Sequence, residues 1–417
     1  MGVRRRRHQR RRSGEAGREG GGHRRRSMRI LILTPEFPPQ FGGIGTHCFE
    51  MAKHWSRGAN VTVLAPAAPP GQTRAESRFE VVDLRPTRSR LVRLVRTERA
   101  ARRLMSGDGF DVVYVGHWRT CGVAFRFAAA RSRSSARYVQ AIHGGEVLYL
   151  LRSRARVMLR QLFRWTVGPA DRLIALGEYQ AELLEQLGIR RDRVFVSPEG
   201  VDMSGFQRPA TEEVVSGLRR RHRLEGKRIL LTVARLAPHK GHDTVIRALP
   251  EILVRVPDAA YLIVGDGSAA EQLRRLADQV GVAEHVHFAG FVPDHELAGY
   301  YHLCDLFVMP SKELNGDTEG FGIVFLEAAA CGKAAIGGRT GGVVEAVQDG
   351  RTGLLVEPES TAEIADAAVR LLTDIELAQR MGEAGRRRVA ESMQYQDIAA
   401  NILGACCAGA ATPRSVA

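Results

Sequence analysis

Residues 319–327 read E-G-F-G-I-V-F-L-E, two carboxylates set around a glycine-rich helix start. If the helix begins near Phe321, Glu319 stands at its mouth and Glu327 lies about two turns along. The first N–H groups of a helix have no partner inside it, and with the positive end of the helix dipole they favour a phosphate. Carboxylates on either side can then accept hydrogen bonds from hydroxyls flanking that phosphate. Such a ligand is a sugar nucleotide, with a sugar, a diphosphate and a ribose in line. An ordinary buried amphipathic helix with a solvated Glu at its start fits the same nine residues, so the rest of the chain has to decide.

Upstream and downstream of this segment, short apolar β-rich runs alternate with helical patterns. One series predicts strands near 29–33, 61–65, 79–83, 111–115, 138–142, 172–176 and 193–197. A second predicts strands near 228–233, 260–264, 286–288, 305–309, 334–336 and 353–356, separated by helices such as 241–255, 270–280 and 321–331. Alternation of this kind implies parallel sheets. Between the two series, G-V-D-M-S-G-F-Q-R-P at Gly200–Pro209 has the composition of a linker. The expected fold is therefore α/β, two doubly wound Rossmann-like domains at 28–203 and 204–385, with ligands at the carboxyl ends of the strands and a cleft between the domains as the site.

The chain has 417 residues and 44% hydrophobic content, enough for two cores. No apolar run reaches the roughly 18 residues needed to cross a bilayer, and residues 1–27 contain no apolar segment resembling a signal sequence, so a cytoplasmic location is expected. The six cysteines show no C-x-x-C spacing and read as reduced thiols. Of the net charge of +15, the first 27 residues supply +9 from eleven Arg against Glu15 and Glu19. This basic tail is expected to be disordered. Met28 leads straight into the strand R-I-L-I-L, and the tail reads as an upstream extension; nucleic-acid binding through it is the competing reading.

A second basic stretch interleaves Arg85, Arg88, Arg90, Arg93, Arg96, Arg99, Arg102 and Arg103 with Leu91, Leu94, Val95 and Leu104 at helical spacing. Residues 152–164 repeat the pattern. Such helices can lie on an anionic membrane, and they can equally be solvated faces of an arginine-rich protein.

The polar motifs fall at predicted strand ends. After the first strand comes T-P-E-F-P-P-Q-F-G-G-I-G, whose Gly42, Gly43 and Gly45 let backbone approach a ligand before a helix expected near Thr46. It is not a tight G-x-G-x-x-G and no acidic residue closes the second strand, so a nicotinamide cofactor is not indicated. The fifth strand runs into His143-Gly144-Gly145-Glu146, an imidazole and a carboxylate on one loop. In the second half, Arg235 and Lys240 follow a strand and can clamp a diphosphate. G-D-G at 265–267 reads as a tight turn, and Gly341-Gly342 as a further source of backbone donors near a helix start. No D-x-D pair occurs, so a metal-chelated diphosphate is not expected and no metal cofactor is assigned.

The ordered motifs E-F-P-P-x-F-G-G-I-G, H-G-G-E, P-E-G-V-D, A-R-L-x-P-H-K-G, V-G-D-G, F-x-G-x-V, M-P-S, E-G-F-G-I-V-F-L-E-A-A-A-C-G-K and G-G-V-V-E-A-V-x-D-G-x-T-G-L-L-V resemble the retaining glycosyltransferases of family 4, which have the GT-B fold. The resemblance runs from Met28 to about residue 400. The insertion S-K-E-L-N-G-D-T and H-G-G-E are most similar to the mannosyltransferases that extend phosphatidylinositol mannosides from GDP-mannose.

The resemblance implies that Arg235 and Lys240 bind the donor diphosphate and that Glu319 holds a donor-sugar hydroxyl. It implies that the N–H groups of Phe321, Gly322 and Ile323 face the phosphates and that Glu327 binds the ribose. Gly43 would contact the diphosphate across the cleft, His143 would lie beside the transferred sugar, and backbone around Val292 would meet the base. The segment 386–405 would be a helix crossing back to the first domain. P-E-G-V-D departs from the family, which usually has Asn where this chain has Glu199.

The expected function is transfer of a hexose, mannose from GDP-mannose, to a lipid-linked or polysaccharide acceptor, at the inner membrane face. A UDP-sugar-dependent glucosyl or N-acetylglucosaminyl transferase, a nucleotide-sugar epimerase and a nucleic-acid-binding protein are the alternatives.

Overall fold

A computed structural model describes residues 26–408, except 40–41, 70–73, 75–76, 108, 133, 152–156 and 207–209. The expected disordered tail therefore lies almost wholly outside the described residues, as do Arg152, Arg154 and Arg156.

The strands β1 (Arg29–Leu33), β2 (Asn60–Pro66), β3 (Glu80–Leu84), β4 (Val112–Val115), β5 (Arg137–Ile142), β6 (Arg172–Ala175) and β7 (Val194–Val196) form one sheet in the order β3-β2-β1-β4-β5-β6-β7. The second sheet holds β8 (Arg228–Val233), β9 (Ala259–Val264), β10 (Val286–Gly290), β11 (Leu306–Met309), β12 (Ala335–Gly338) and β13 (Gly353–Val356) in the order β10-β9-β8-β11-β12-β13. Every paired neighbour is parallel. Each expected strand is present; the central ones stand out in sequence because a strand covered on both faces must be apolar throughout, while the edge strands β3 and β10 are only partly buried.

Connecting the first sheet are α1 (Gly43–Trp55), α2 (Arg90–Gly107), α3 (Val123–Ser132), α4 (Gly145–Leu151), α5 (Val157–Val167) and α6 (Glu178–Gln186). The second sheet carries α7 (Glu212–His222), α8 (His242–Arg255), α9 (Ala270–Val280), α10 (Asp294–Leu303), α11 (Ile323–Ala330), α12 (Val343–Ala346), α13 (Thr361–Thr373) and α14 (Ile375–Ser392), with α15 (Tyr395–Cys407) following.

Alternation along β1 shows how the cores divide. Leu31 and Leu33 enter one fully buried cluster with residues of α2 and α3, while Ile30 and Ile32 enter another with α1 and α15. The second sheet likewise has a buried cluster on each face. All six cysteines are free thiols, four of them buried.

Three expected boundaries move. The helix expected near Thr46 begins at Gly43, so Gly43 and Gly45 lie inside its first turn rather than in the loop before it. The helix expected near Phe321 begins at Ile323, because Gly322 is held at φ 89°, a left-handed conformation that cannot continue into a helix. The segment 386–405 is not one crossing helix. Arg386–Ser392 ends α14, which packs on α11 of the second domain, and the chain then breaks at Met393 and Gln394. There Val201 N–H donates to the Met393 carbonyl at 2.9 Å, and Val201 pairs with Gln394. Only α15 crosses to the first domain. It buries Tyr395, Ile398, Ala399, Ile402 and Cys406 beside α1, and Trp55 Nε1 donates to the Ala399 carbonyl at 2.7 Å.

Candidate active site

In each sheet the order of connection reverses between the first strand of the series and the fourth, β1 and β4 in one, β8 and β11 in the other. Crevices open at such points beyond the carboxyl ends of the strands. Here the two crevices face each other and enclose a cleft of about 560 Å³. The first domain lines it with Glu36, Gly43, Thr46, His117, His143, Glu146 and Glu199. The second lines it with Arg235, His239, Lys240, Asp317, Glu319, Phe321, Gly322, Ile323 and Glu327.

On the second wall, Lys240 ends a 3-10 turn and pairs its ammonium with the Glu319 carboxylate, both side chains being largely buried. Arg235 is exposed at the end of β8. Beyond Glu319, the N–H groups of Phe321, Gly322 and Ile323 have no acceptor among the described residues, because they precede or open α11. Four residues into that helix, Glu327 accepts the Tyr301 hydroxyl at 2.6 Å, and burial pushes its carboxyl up to about 7. Two cations, free amides and two carboxylates thus converge on one crevice, an arrangement suited to an anion flanked by hydroxyls.

Gly342 does not supply a further donor. The Gly342 N–H is consumed by the Glu319 carbonyl at 3.0 Å, and a Cβ at 342 would lie 1.7 Å from the Gly320 carbonyl oxygen. The pair buttresses the E-G-F-G loop. Val292 is not brought to the cleft lining: its side chain is packed in the second domain's core.

On the first wall, Gly43 opens α1 and a Cβ there would meet no protein atom, which leaves room for a ligand. The half-buried His143 ends β5. Its Nε2 lies 2.8 Å from the Gly116 carbonyl, which can only accept, so Nε2 carries the proton and Nδ1 is left as an acceptor. Burial lowers its pKa to about 4, with Glu146 opposing, so the imidazole is neutral near pH 7. Glu146 fixes the loop by accepting the His143 N–H at 2.9 Å.

Several lining residues escaped the sequence reading. Glu36 lies in the quoted E-F-P-P motif without a role; burial raises its pKa and the Arg235 guanidinium lowers it, so the two walls interact electrostatically. Asp317 is placed by the tight turn Leu314–Asp317 of the S-K-E-L-N-G-D-T insertion and lies 3.4 Å from His239. The buried Glu199 lies 3.1 Å from His47 Nδ1 and accepts the Tyr395 hydroxyl at 3.3 Å.

The chain matches two family models in succession, Glycosyltransferase Family 4 over residues 41–204 and Glycosyl transferases group 1 over residues 217–388. It is 34% identical over 388 residues to the GDP-mannose-dependent alpha-(1-6)-phosphatidylinositol monomannoside mannosyltransferase of Mycobacterium tuberculosis, covering 90% of this chain and 97% of that protein. The chain belongs to the family 4 glycosyltransferases. Its Mycolicibacterium smegmatis counterpart is 33% identical over 379 residues, covering 89% of this glycosyltransferase and 97% of the relative. The D-inositol 3-phosphate glycosyltransferase of Nocardia farcinica is 37% identical over 227 residues, about half of each chain (52% and 48%).

Among solved structures, sucrose-phosphate synthase from Thermosynechococcus elongatus superposes on the glycosyltransferase with a TM-score of 0.76 at 21% identity, covering 91% of this chain and 98% of that one. Anabaena HepE, in complex with UDP and glucose, gives 0.74 at 21%, covering 91% and 99%. At that identity these two establish the GT-B fold.

Proposed function

We propose that this glycosyltransferase moves mannose, with retention of configuration, from GDP-mannose to the inositol mannoside headgroup of a membrane phospholipid. The observation that carries the reading is the convergence of Arg235, Lys240 and the free amides of Phe321, Gly322 and Ile323 between Glu319 and Glu327. End-to-end similarity to GDP-mannose-dependent enzymes supports the choice of donor.

In this reading the diphosphate displaces Glu319 from the Lys240 ammonium and is held by Lys240, Arg235 and the amides, with the open end of α1 at Gly43 facing it across the cleft. Glu319 then accepts from a mannose hydroxyl, Glu327 from the ribose and His143 Nδ1 from the sugar. The acceptor oxygen bonds to the anomeric carbon as the bond from that carbon to the diphosphate breaks. The acceptor's proton passes to the departing phosphate on the same face, so no side chain acts as general base. Growing charge on the leaving diphosphate is met by Lys240 and Arg235 in place of a metal ion.

The lipid acceptor would be reached from the membrane surface. Exposed Leu91, Val92 and Val95 on α2, and Val157, Met158, Leu162 and Trp165 on α5, lie among arginines and suit an anionic bilayer at the inner face. No helix among the described residues is long and apolar enough to cross a membrane.

Incubation with radiolabelled GDP-mannose, UDP-glucose or UDP-N-acetylglucosamine and phosphatidylinositol monomannoside micelles tests this. GDP-mannose alone should yield lipid product, undiminished by EDTA. Product from a UDP-sugar, or absence of both turnover and a thermal shift with GDP, overturns it.

A further inference from the structure

One contact between the domains lies outside the cleft lining. Glu345, in α12 of the second domain, reaches across to α6 of the first. Its Oε2 accepts the Glu178 N–H and its Oε1 the Tyr179 N–H, both at 2.9 Å. These are the first two donors of α6, and the preceding residue, Gly177, has no side chain with which to satisfy them. Glu345 thus caps a helix of the other domain, where a carboxylate meets the leading N–H groups and the positive end of the dipole. A Cβ at 177 would lie 2.6 and 2.8 Å from the two carboxylate oxygens, so a side chain there would displace the carboxylate.

The contact is tied to the donor loop at both ends. From α6, the buried Gln180 donates its Nε2 to the Gly320 carbonyl of E-G-F-G. In the second domain, Gly342 holds the Glu319 carbonyl, three residues before Glu345. Behind it, Arg388 of α14 donates to the Glu345 carbonyl at 2.6 Å and the Ala346 carbonyl at 2.7 Å, anchoring α12. Glu345, α6 and the Glu319 loop form one bonded set spanning both domains.

We propose that Glu345 is a positioning residue, an interdomain latch whose two hydrogen bonds to α6 hold the cleft shut while the sugar is transferred. Its side chain bonds to the other domain and Glu345 is not among the residues lining the cleft, so its contribution goes to closure rather than to donor binding. When the domains part, its carboxylate and the α6 amides return to water. A shut cleft excludes water from the reacting carbon, so loosening the latch diverts donor to hydrolysis. The inference rests on the transferase reading of the cleft and is independent of the donor base.

The test uses the full chain carrying Glu345→Ala, Glu345→Gln or Gly177→Ala, with radiolabelled GDP-mannose and phosphatidylinositol monomannoside micelles, the label being resolved into lipid product and free mannose. Loss of two charge-assisted hydrogen bonds from the closed form should lower kcat for transfer about tenfold in Glu345→Ala and raise the hydrolysed share, with the GDP Kd held within about twofold. Glu345→Gln, which keeps one acceptor, should fall between. Gly177→Ala reproduces the defect from the other domain, and combining it with Glu345→Ala adds little. Scattering with GDP bound should give a larger radius of gyration for Glu345→Ala than for the unmodified protein.

Wild-type transfer and partition in both Glu345→Ala and Gly177→Ala overturn the latch, as does a lowered Tm as the sole change. Should the unmodified protein turn over no donor, the cleft reading fails by itself. The scattering comparison then decides the latch, equal radii overturning it.

Discussion

The two walls of the cleft are built differently. The second domain's wall comes mainly from two short segments, 233–240 and 317–327, and brings two cations and free amides. The first domain's wall collects Glu36, His117, His143 and Glu199 from the ends of β1, β4, β5 and β7, and among the described residues lining it there is no Lys or Arg. A diphosphate can therefore be neutralised only from the second wall, whereas the first offers carboxylates and neutral imidazole suited to hydroxyls. In the proposed reaction, charge would divide the cleft into a side for the leaving group and a side for the sugar and its acceptor.

Breaking the charged wall should have the largest effect. Lys240→Ala removes a cation of that wall and strands Glu319 without its partner. Steady-state kinetics with GDP-mannose should show kcat reduced by about 10²–10³-fold, the usual cost of removing one transition-state charge stabiliser. A reduction confined to KM would assign Lys240 to ground-state binding instead. On the first wall, His143→Ala deletes an uncharged hydrogen-bond acceptor, and kcat/KM should fall by about thirtyfold. With its pKa near 4, His143 should leave no inflection in the rate profile between pH 5 and 8.

The same contrast governs how much was legible in the sequence. The sheets were readable because strands covered on both faces are apolar runs, as in Leu230, Leu231 and their neighbours. That Arg235, Lys240, Glu319 and Glu327 line one crevice was readable because each belongs to a motif at a strand end or helix start. Glu36, Asp317 and Glu345 sat inside quoted motifs, yet their work is done against residues far away in the chain: Arg235, His239 and the start of α6. No local spacing encodes such contacts. Helix starts at Gly43 and Ile323 were misplaced by two or three residues, since glycine can precede a helix or open one and only the backbone angles decide.

Glu327 sharpens the comparison through pH. Its raised pKa of about 7 comes from burial first, with the Tyr301 hydroxyl opposing the shift. Ribose hydroxyls donate best to the ionised form, so donor binding improves as pH rises through 7 and weakens below it. The donor KM should rise by up to about tenfold per pH unit on the acid side, and Glu327→Gln should flatten that dependence. A KM unchanged from pH 5.5 to 8 in the unmodified enzyme would remove Glu327 from the ribose site.

The smallest effect is expected at Glu199. Its carboxylate ties His47 of α1 to Tyr395 of α15, while His47 Nε2 lies 2.7 Å from the Tyr114 hydroxyl. Four segments, the Glu199 loop, α1, α15 and β4, are joined by one buried polar set. Asn can still accept from one partner, so Glu199→Asn should change kcat less than about threefold. Glu199→Ala leaves the fully buried His47 nitrogen and the Tyr395 hydroxyl short of a partner, a cost of about 1–3 kcal/mol that chemical denaturation would record. If Glu199→Asn instead abolished transfer while leaving stability intact, the carboxylate would have to act in the cleft it lines, and the first wall would hold a charge the reaction depends on.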